Sequence, residues 1–297
     1  MEMCCEALRL PEKPLEGIKL VVCDMDGTAL NDNKEFSGET LRVFAELRRR
    51  GIAYTIASAR TPMMLGVYCA EAEISSVPLI ALEGAVVQRM DGSAPIYELP
   101  LSRDYAVGLC EACHNMGADY TVYTSKSCYM RRDTHRMWRF ELYNRLAAAH
   151  GERPVPTSAY EDTTPGYIAS EHVYKIFIDN PDSALREKVE RLLSAYPEVR
   201  TDCSEGSSIS IVRREASKGE TLKNLAHQLG LKREEICCFG DWSNDVGMLS
   251  AFPNSVAMLN GVDEAKAAAA YVTRPNTEDG VAWFIEKYVL GDRKSVV

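Results

Sequence analysis

The first readable pattern is Lys19-Leu20-Val21-Val22-Cys23, an apolar run closed by Asp24. A short apolar run bounded by polar turn residues predicts a strand buried on both faces of a parallel sheet. Ser37 then offers an N-cap, Glu39 an acid in the first turn, and Leu41, Phe44 and Leu47 an apolar face at three-residue spacing. Gly51 stands where a helix ends. Ala53–Ala57 predicts a second buried strand and Leu79–Leu82 a third. Strand–helix–strand rhythm of this kind implies a parallel sheet with right-handed crossovers.

The rhythm returns late in the chain. Ser217-Lys218-Gly219-Glu220 reads as a capping box, Leu222, Leu225, Ala226 and Leu229 share one helix face, and Gly230 ends it. Ile236–Phe239 predicts a strand running into Gly240-Asp241. Helices near Asn244–Ala251, Val262–Ala269 and Glu278–Leu290 then alternate with strands at Ser255–Met258 and Tyr271–Thr273. Between these halves the texture changes. VVQRM and PIYEL flank DGSA like a hairpin, Tyr120–Ser125, Cys128–Arg131 and Val173–Asp179 read as strands, and Asp133–Ala149 and Ser183–Ala195 as helices. Gly151–Gly166, rich in Pro, Thr and acids, reads as a loop. The expected fold class is α/β: a Rossmann-like doubly wound parallel sheet core with an inserted α+β cap domain. The expected division is residues 1–86 plus 206–297 for the core and 87–205 for the cap.

Length agrees, since 297 residues suggest about two domains at roughly 150 each. Lys and Arg number 34 against 43 Asp and Glu, a net charge of −9. Such a chain repels nucleic acid and anionic membrane, so neither is an expected partner. No run approaches the ~18 apolar residues of a spanning helix. The first twenty residues lack the basic-then-apolar pattern of a signal peptide. A cytoplasmic protein with reduced, buried thiols is therefore the expectation for its ten cysteines. Cys110-Glu111-Ala112-Cys113-His114 matches the c-type haem pattern, but it lies in a helical stretch beginning near Ser102 and reads as coincidence.

Chemistry collects at the strand ends. In Asp24-Met25-Asp26-Gly27-Thr28 the two carboxylates sit at i and i+2, on one side of an extended segment, where open α/β sheets bind ligands. Asp-Gly is also good turn chemistry, so a plain turn is the alternative. Gly240-Asp241-Trp242-Ser243-Asn244-Asp245 crowds polar groups at another strand end, and Asp oxygens suit Mg²⁺. Lys218 opens a helix at the end where a cation is disfavoured, which implies an anion beside it or a solvated surface lysine. Ser58 places a hydroxyl after the second strand.

Together these four pieces resemble the motifs of the haloacid dehalogenase (HAD) superfamily of phosphohydrolases: DMDGT the first, Ser58 the second, Lys218 the third and GDWSND the fourth. The likeness is closest to the Cof-like branch. It extends to Glu83-Gly84-Ala85, NDVGML, Val256-Ala257-Met258 and DEAKAAAAYVT. The 160 positions from Ser58 to Lys218 exceed what two βα units fill, which in this superfamily implies the larger cap type.

The resemblance implies a magnesium-dependent phosphatase acting on a small phosphorylated metabolite, such as a sugar phosphate. Asp24 would be the nucleophile that forms an aspartyl-phosphate, and Asp26 the acid and then the base. Mg²⁺ would be held by Asp24, the backbone carbonyl of Asp26, and Asp241. Ser58, Lys218 and Asn244 would hold phosphate, and Asp245 would fix Lys218 and the metal's surroundings. A phosphomutase of related fold and a non-enzymatic phospho-receiver are the competing readings. The chain departs from the family at Ser58-Ala59-Arg60, where Thr-Gly-Arg is usual, and at Glu83, where Asn is usual. Glu83 is therefore a candidate specificity residue, with Arg60 or a donor on the substrate as its expected partner. Lys175 is a substrate-facing candidate by resemblance. Arg131, Arg132, His135, Arg136 and Arg139, with Tyr129 and Trp138, form a basic–aromatic cluster that could bind an anionic substrate tail, but a solvated helix face is the preferred reading.

Overall fold

The computed structural model describes residues 8–74, 77–160, 170–202 and 207–291. Its strands in chain order are β1 (Leu20–Cys23), β2 (Ala53–Ile56), β3 (Leu79–Ala81), β4 (Val86–Gln88), β5 (Tyr97–Glu98), β6 (Tyr120–Thr124) and β7 (Cys128–Met130). They continue with β8 (Thr157–Ala159), β9 (Val173–Ile178), β10 (Val199–Asp202), β11 (Ile209–Arg213), β12 (Ile236–Gly240), β13 (Asn254–Met258) and β14 (Tyr271–Thr273).

β14-β13-β12-β1-β2 form a parallel sheet with β1 near its centre. Alternation along the strands sends side chains to two apolar layers. Val21, Cys23, Cys237 and Phe239 pack with Val43, Phe44, Leu47 and Phe284. Leu20, Val22, Ile236 and Cys238 pack with Leu222, Leu225, Met248 and Leu249. Helices thus cover both faces, which is why the strands read as continuous apolar runs. Helix Gly38–Arg49 starts where expected, with Ser37 Oγ accepting from Thr40 N at 3.0 Å. Helix Lys218–Gln228 does the same from Ser217.

β3 joins β2 through one parallel bridge, Ala57 to Ile80, and pairs antiparallel with β4, which pairs with β5. The expected hairpin therefore lies beside the core strand. The last expected helix is broken: Asp279 adopts φ +54°, helix Gly280–Phe284 follows, and Ile285–Val289 continues as a wider π turn.

The second sheet, β10-β11-β9-β6-β7-β8, is antiparallel apart from the β7–β8 pair. Helices Arg103–Asn115 and Ser183–Leu193 cover one face through Leu109, Cys110, Cys113 and Val189. Past the boundary expected at 205/206, Ile209–Arg213 pairs with β9 and β10, so the second sheet runs on to Arg213. Ile209 and Ile211 pack in the apolar layer of the second sheet with Leu109, Val122 and Val189, while Val212 faces the other layer with Phe177 and Ala216. The loop expected over 151–166 contains β8, and its residues 161–166 lie outside the described ones. Cys110 and Cys113 face the cap interior, where burial pushes the Cys113 thiol up to about 12 and that of Cys110 higher still. They are inert packing groups. No described helix is long and apolar enough to cross a membrane.

Candidate active site

β1 and β12 run side by side and deliver their chemistry at the same edge. Asp24 follows β1 and Asp241 follows β12. The Asp-Gly turn is also present: Gly27 adopts φ +78°, and a Cβ there would run into the Asp241 carboxylate. Glycine thus lets the two loops close on each other. Thr28 Oγ1 donates to Asp241 Oδ1 at 2.6 Å.

Lys218 is almost wholly buried, and its ammonium sits 2.8 Å from both Asp24 Oδ1 and Asp245 Oδ1. The anion implied by its place at a helix start is this pair of carboxylates. Asp245 Oδ2 accepts from the backbone N–H groups of Asp241 and Trp242, at 3.0 and 3.1 Å, which fixes the acidic loop. One oxygen each from Asp24, Asp241 and Asp245 lies within 4.8 Å of the others.

Three buried carboxylates share one ammonium. Burial raises the Asp24 carboxyl, and Lys218 offsets this only in part. Burial raises Asp241 as well, with Asp24 and Asp245 adding to it. The cluster is short of positive charge and offers only hard oxygen donors, which fits a small divalent cation. The Asp26 carboxylate is not among these oxygens.

Asp26 faces a different set of groups. Arg60 Nε and Nη2 each donate to it at 2.8 Å, Lys34 Nζ stands 3.1 Å away, and Arg139 of helix Met137–Ala149 stands 3.6 Å away. Burial opposes ionisation of Asp26, but Arg60 first, then Arg139 and Lys34, hold its carboxyl far below the usual range. Arg60 is itself held between the rings of Tyr68 and Tyr143, at 4.9 and 4.8 Å from their centroids.

Ser58 is buried, and its hydroxyl accepts from Arg60 N at 3.3 Å. Glu83 does not take Arg60. It pairs with Lys175 of β9 at 3.2 Å and accepts from Asn244 Nδ2 at 2.9 Å. Asn244 Oδ1 meets no donor among the described residues. Asp24, Asp26, Ser58, Arg60, Asp241 and Asn244 line a cavity of about 240 Å³, whose opposite wall is Tyr123, Arg136, Arg139, Tyr143, Lys175 and Phe177 of the cap.

That wall corrects the reading of residues 131–139 as a solvated face. Arg132 and His135 are exposed, whereas Arg136 is buried with its guanidinium 3.9 Å from the centre of the Phe177 ring. The helix begins at Met137, so Arg136 and Arg139 turn inward while Trp138 stays half exposed. The inward pair could have been found from their spacing of three, which places them on one face.

The family model for haloacid dehalogenase-like hydrolases matches residues 21–285. The chain belongs to this family. Among its curated relatives, "Putative phosphatase YxeH" of Bacillus subtilis is 29% identical over 280 residues, covering 92% of this chain and 98% of the relative. The 5-amino-6-(5-phospho-D-ribitylamino)uracil phosphatase YitU of the same organism is 28% identical over 277 residues, covering 91% and 97%. A haloacid dehalogenase-like hydrolase from Bacteroides thetaiotaomicron has a solved structure that superposes with TM-score 0.75 at 24% identity, covering 91% of this chain and 99% of that one. The fold is thus that of a capped HAD hydrolase, and the enzyme class is phosphatase.

Proposed function

We propose that the chain is a magnesium-dependent phosphatase that hydrolyses the phosphomonoester of a small metabolite through an aspartyl-phosphate on Asp24. The observation that carries this reading is the arrangement of Asp24: buried at the cavity floor and aimed by Lys218, with Asp26 held apart on the same edge. Asp24 and Asp241, with the backbone carbonyl of Asp26, would hold Mg²⁺, which when bound supplies charge neutralisation for the phosphoryl group.

An oxygen of Asp24 attacks phosphorus, and the bond to the ester oxygen breaks. Asp26, which takes up a proton once the bound ester has drawn Arg60 and Arg139 off it, gives that proton to the ester oxygen as the alcohol departs. Asp26, now ionised, takes a proton from water, and the water oxygen attacks phosphorus and returns Asp24 as carboxylate. Ser58, Lys218 and Asn244 hold the phosphoryl oxygens. In this reading the cap is residues 87–205 with the strand to Arg213, and it closes over the site to exclude water. A cytoplasmic setting belongs to the proposal and rests on seven buried cysteines without a bridge among the described residues.

The substrate class is a small phosphorylated polyol or sugar, in line with the phosphoribityl compound in the name of YitU. The test is a panel of phosphate esters, sugar phosphates and 5-amino-6-(5-phospho-D-ribitylamino)uracil among them, assayed with Mg²⁺ and with EDTA. Phosphate release on Mg²⁺ alone supports the reading. Full activity in EDTA, or transfer of phosphate within a sugar with no net release, overturns it.

A further inference from the structure

Three consecutive residues after β3 take positive φ: Leu82 at +51°, Glu83 at +60° and Gly84 at +95°. Only the last is glycine, so the first two are held in a conformation that side chains disfavour. The holding contacts run to the phosphate-site loops. Leu82 N donates to Arg60 O at 3.0 Å and Glu83 N to Ser58 O at 3.2 Å. Gly84 lies so close to Ser217 that an added Cβ would meet its backbone at 2.5 Å, and Thr221 Oγ1 donates to Gly84 O at 2.9 Å. The turn is therefore fastened to the Ser58 loop on one side and to the start of the Lys218 helix on the other.

This turn leaves the Glu83 side chain fully buried in the seam between core and cap. Two donors converge on it from opposite directions. Asn244 Nδ2 comes from the acidic loop of the core, and Lys175 Nζ comes from β9 of the cap. Lys175 Nζ also reaches the carbonyl of Ala59, at 3.3 Å, between Ser58 and Arg60. A carboxylate can accept from both donors at once, whereas an amide would turn its own NH₂ toward one of them. Asparagine, usual here in the resemblance noted above, is also one methylene shorter and carries no charge for the ammonium.

We propose that Glu83 is a positioning residue that ties closure of the cap to the setting of Asn244, through the buried pair it makes with Lys175. Resting on the phosphatase reading, this gives the closed cap its own anchor on the core, separate from any substrate contact. When the cap swings away, Lys175 withdraws from Glu83 and Ala59 together. The Glu83 carboxylate then keeps Asn244 but exchanges its directed pair with the ammonium for the water that enters the opened seam. Closure returns the ammonium and with it the orientation of Glu83 that holds Asn244 by Nδ2. Lys175 thereby acts on the phosphate site from the cap without being held for the substrate.

The test compares Glu83→Gln, Lys175→Met and the double variant, with Glu83→Asn as a fourth protein. Two readouts are used: hydrogen exchange of residues 173–178 in the substrate-free protein, and kcat and KM for p-nitrophenyl phosphate with Mg²⁺. The expected result is faster exchange in β9 for all four variants. A fall in kcat/KM of about tenfold is expected for each single variant, carried by kcat, with the double variant no worse than either single. The double variant removes both charges, so it keeps the comparison sound if Lys175→Met alone folds poorly. Unchanged exchange in Glu83→Gln, or losses that multiply in the double variant, overturns the proposal. The exchange readout needs no turnover, so a wild-type protein that releases no phosphate would refute the phosphatase reading and leave the coupling to be judged on exchange alone.

Discussion

Arg60 grips Asp26 along one edge of its guanidinium, with Nε and Nη2 each 2.8 Å from a separate carboxylate oxygen. A bidentate pair of this kind is strong and directional. It holds the group proposed as acid and base in its ionised form, against the burial that would protonate it. In the proposed reaction a bound phosphate ester, itself an anion, would compete for Arg60 and Arg139 and relax that hold.

Replacing Arg60 should therefore move the basic side of the pH profile. In Arg60→Gln the largest opposing charge is gone and burial dominates, so the Asp26 carboxyl rises. The basic limb of kcat/KM, which reports a group that must carry its proton when the ester is cleaved, should shift to higher pH by about one unit or more. A limb that stays in place would detach Asp26 from that ionisation. Measuring the profile on an activated and an unactivated ester adds a check, because the acid role matters less for the activated leaving group.

Asp24→Asn removes the nucleophile's charge and keeps its shape. Turnover should fall by at least about 10³-fold. Burial already disfavours the ionised Asp24, so thermal stability should stay near or above that of the metal-free wild type. Wild-type-like turnover in this variant would sink the covalent route.

Metal-free protein should lose stability as pH rises. Asp24 and Asp241 both have raised carboxyls in the fold, whereas in the unfolded chain they ionise near the ordinary value of about 3.9. Above that value the folded state binds more protons, so unfolding becomes easier with rising pH until both groups have ionised. Mg²⁺ supplies the missing charge, and its effect on Tm should grow between about pH 5 and pH 8. A Mg²⁺ shift independent of pH would contradict this. Ca²⁺ should bind and inhibit, because it tolerates a bidentate carboxylate and would tie up both oxygens of Asp24.

Lys218→Met leaves Asp24 and Asp245 buried without their ammonium. Breaking a buried pair by removing one partner costs about 3–5 kcal/mol. Denaturant unfolding should register a loss of that order in metal-free protein, with Mg²⁺ restoring part of it. A change below about 1 kcal/mol would mean that Lys218 is less committed to the two carboxylates than their 2.8 Å contacts imply.

The strand ends were legible because each follows an apolar run and precedes a turn. Asp24, Ser58 and Asp241 stand at the ends predicted for them, and Lys218 begins the helix that its capping box announces. The partner of Glu83 was not legible. Lys175 lies on a strand of the cap, and nothing local in Val173-Tyr174-Lys175-Ile176 says which core carboxylate it meets. Arg139 was misread for a related reason: a charged position on a helix looks solvated until a second domain is laid against it. β11 escaped because its pairing partners, β9 and β10, lie upstream in the cap.

The pairing of β1 with β12 bears on how the protein is made. Leu20 lies beside Ile236, more than two hundred positions along the chain. During synthesis β1 and β2 emerge early and must wait, with one flank of β1 unsatisfied, until the whole cap and the Lys218 helix have left the ribosome. Long-range parallel pairing of this kind is slow and leaves strand edges open in the interval. The antiparallel sheet of the cap takes all its strands from between β6 and β11 and can form before that moment. A nascent chain stopped before Ile236 should then carry a folded cap on an unfinished core, and chaperone capture should peak over that stretch of translation.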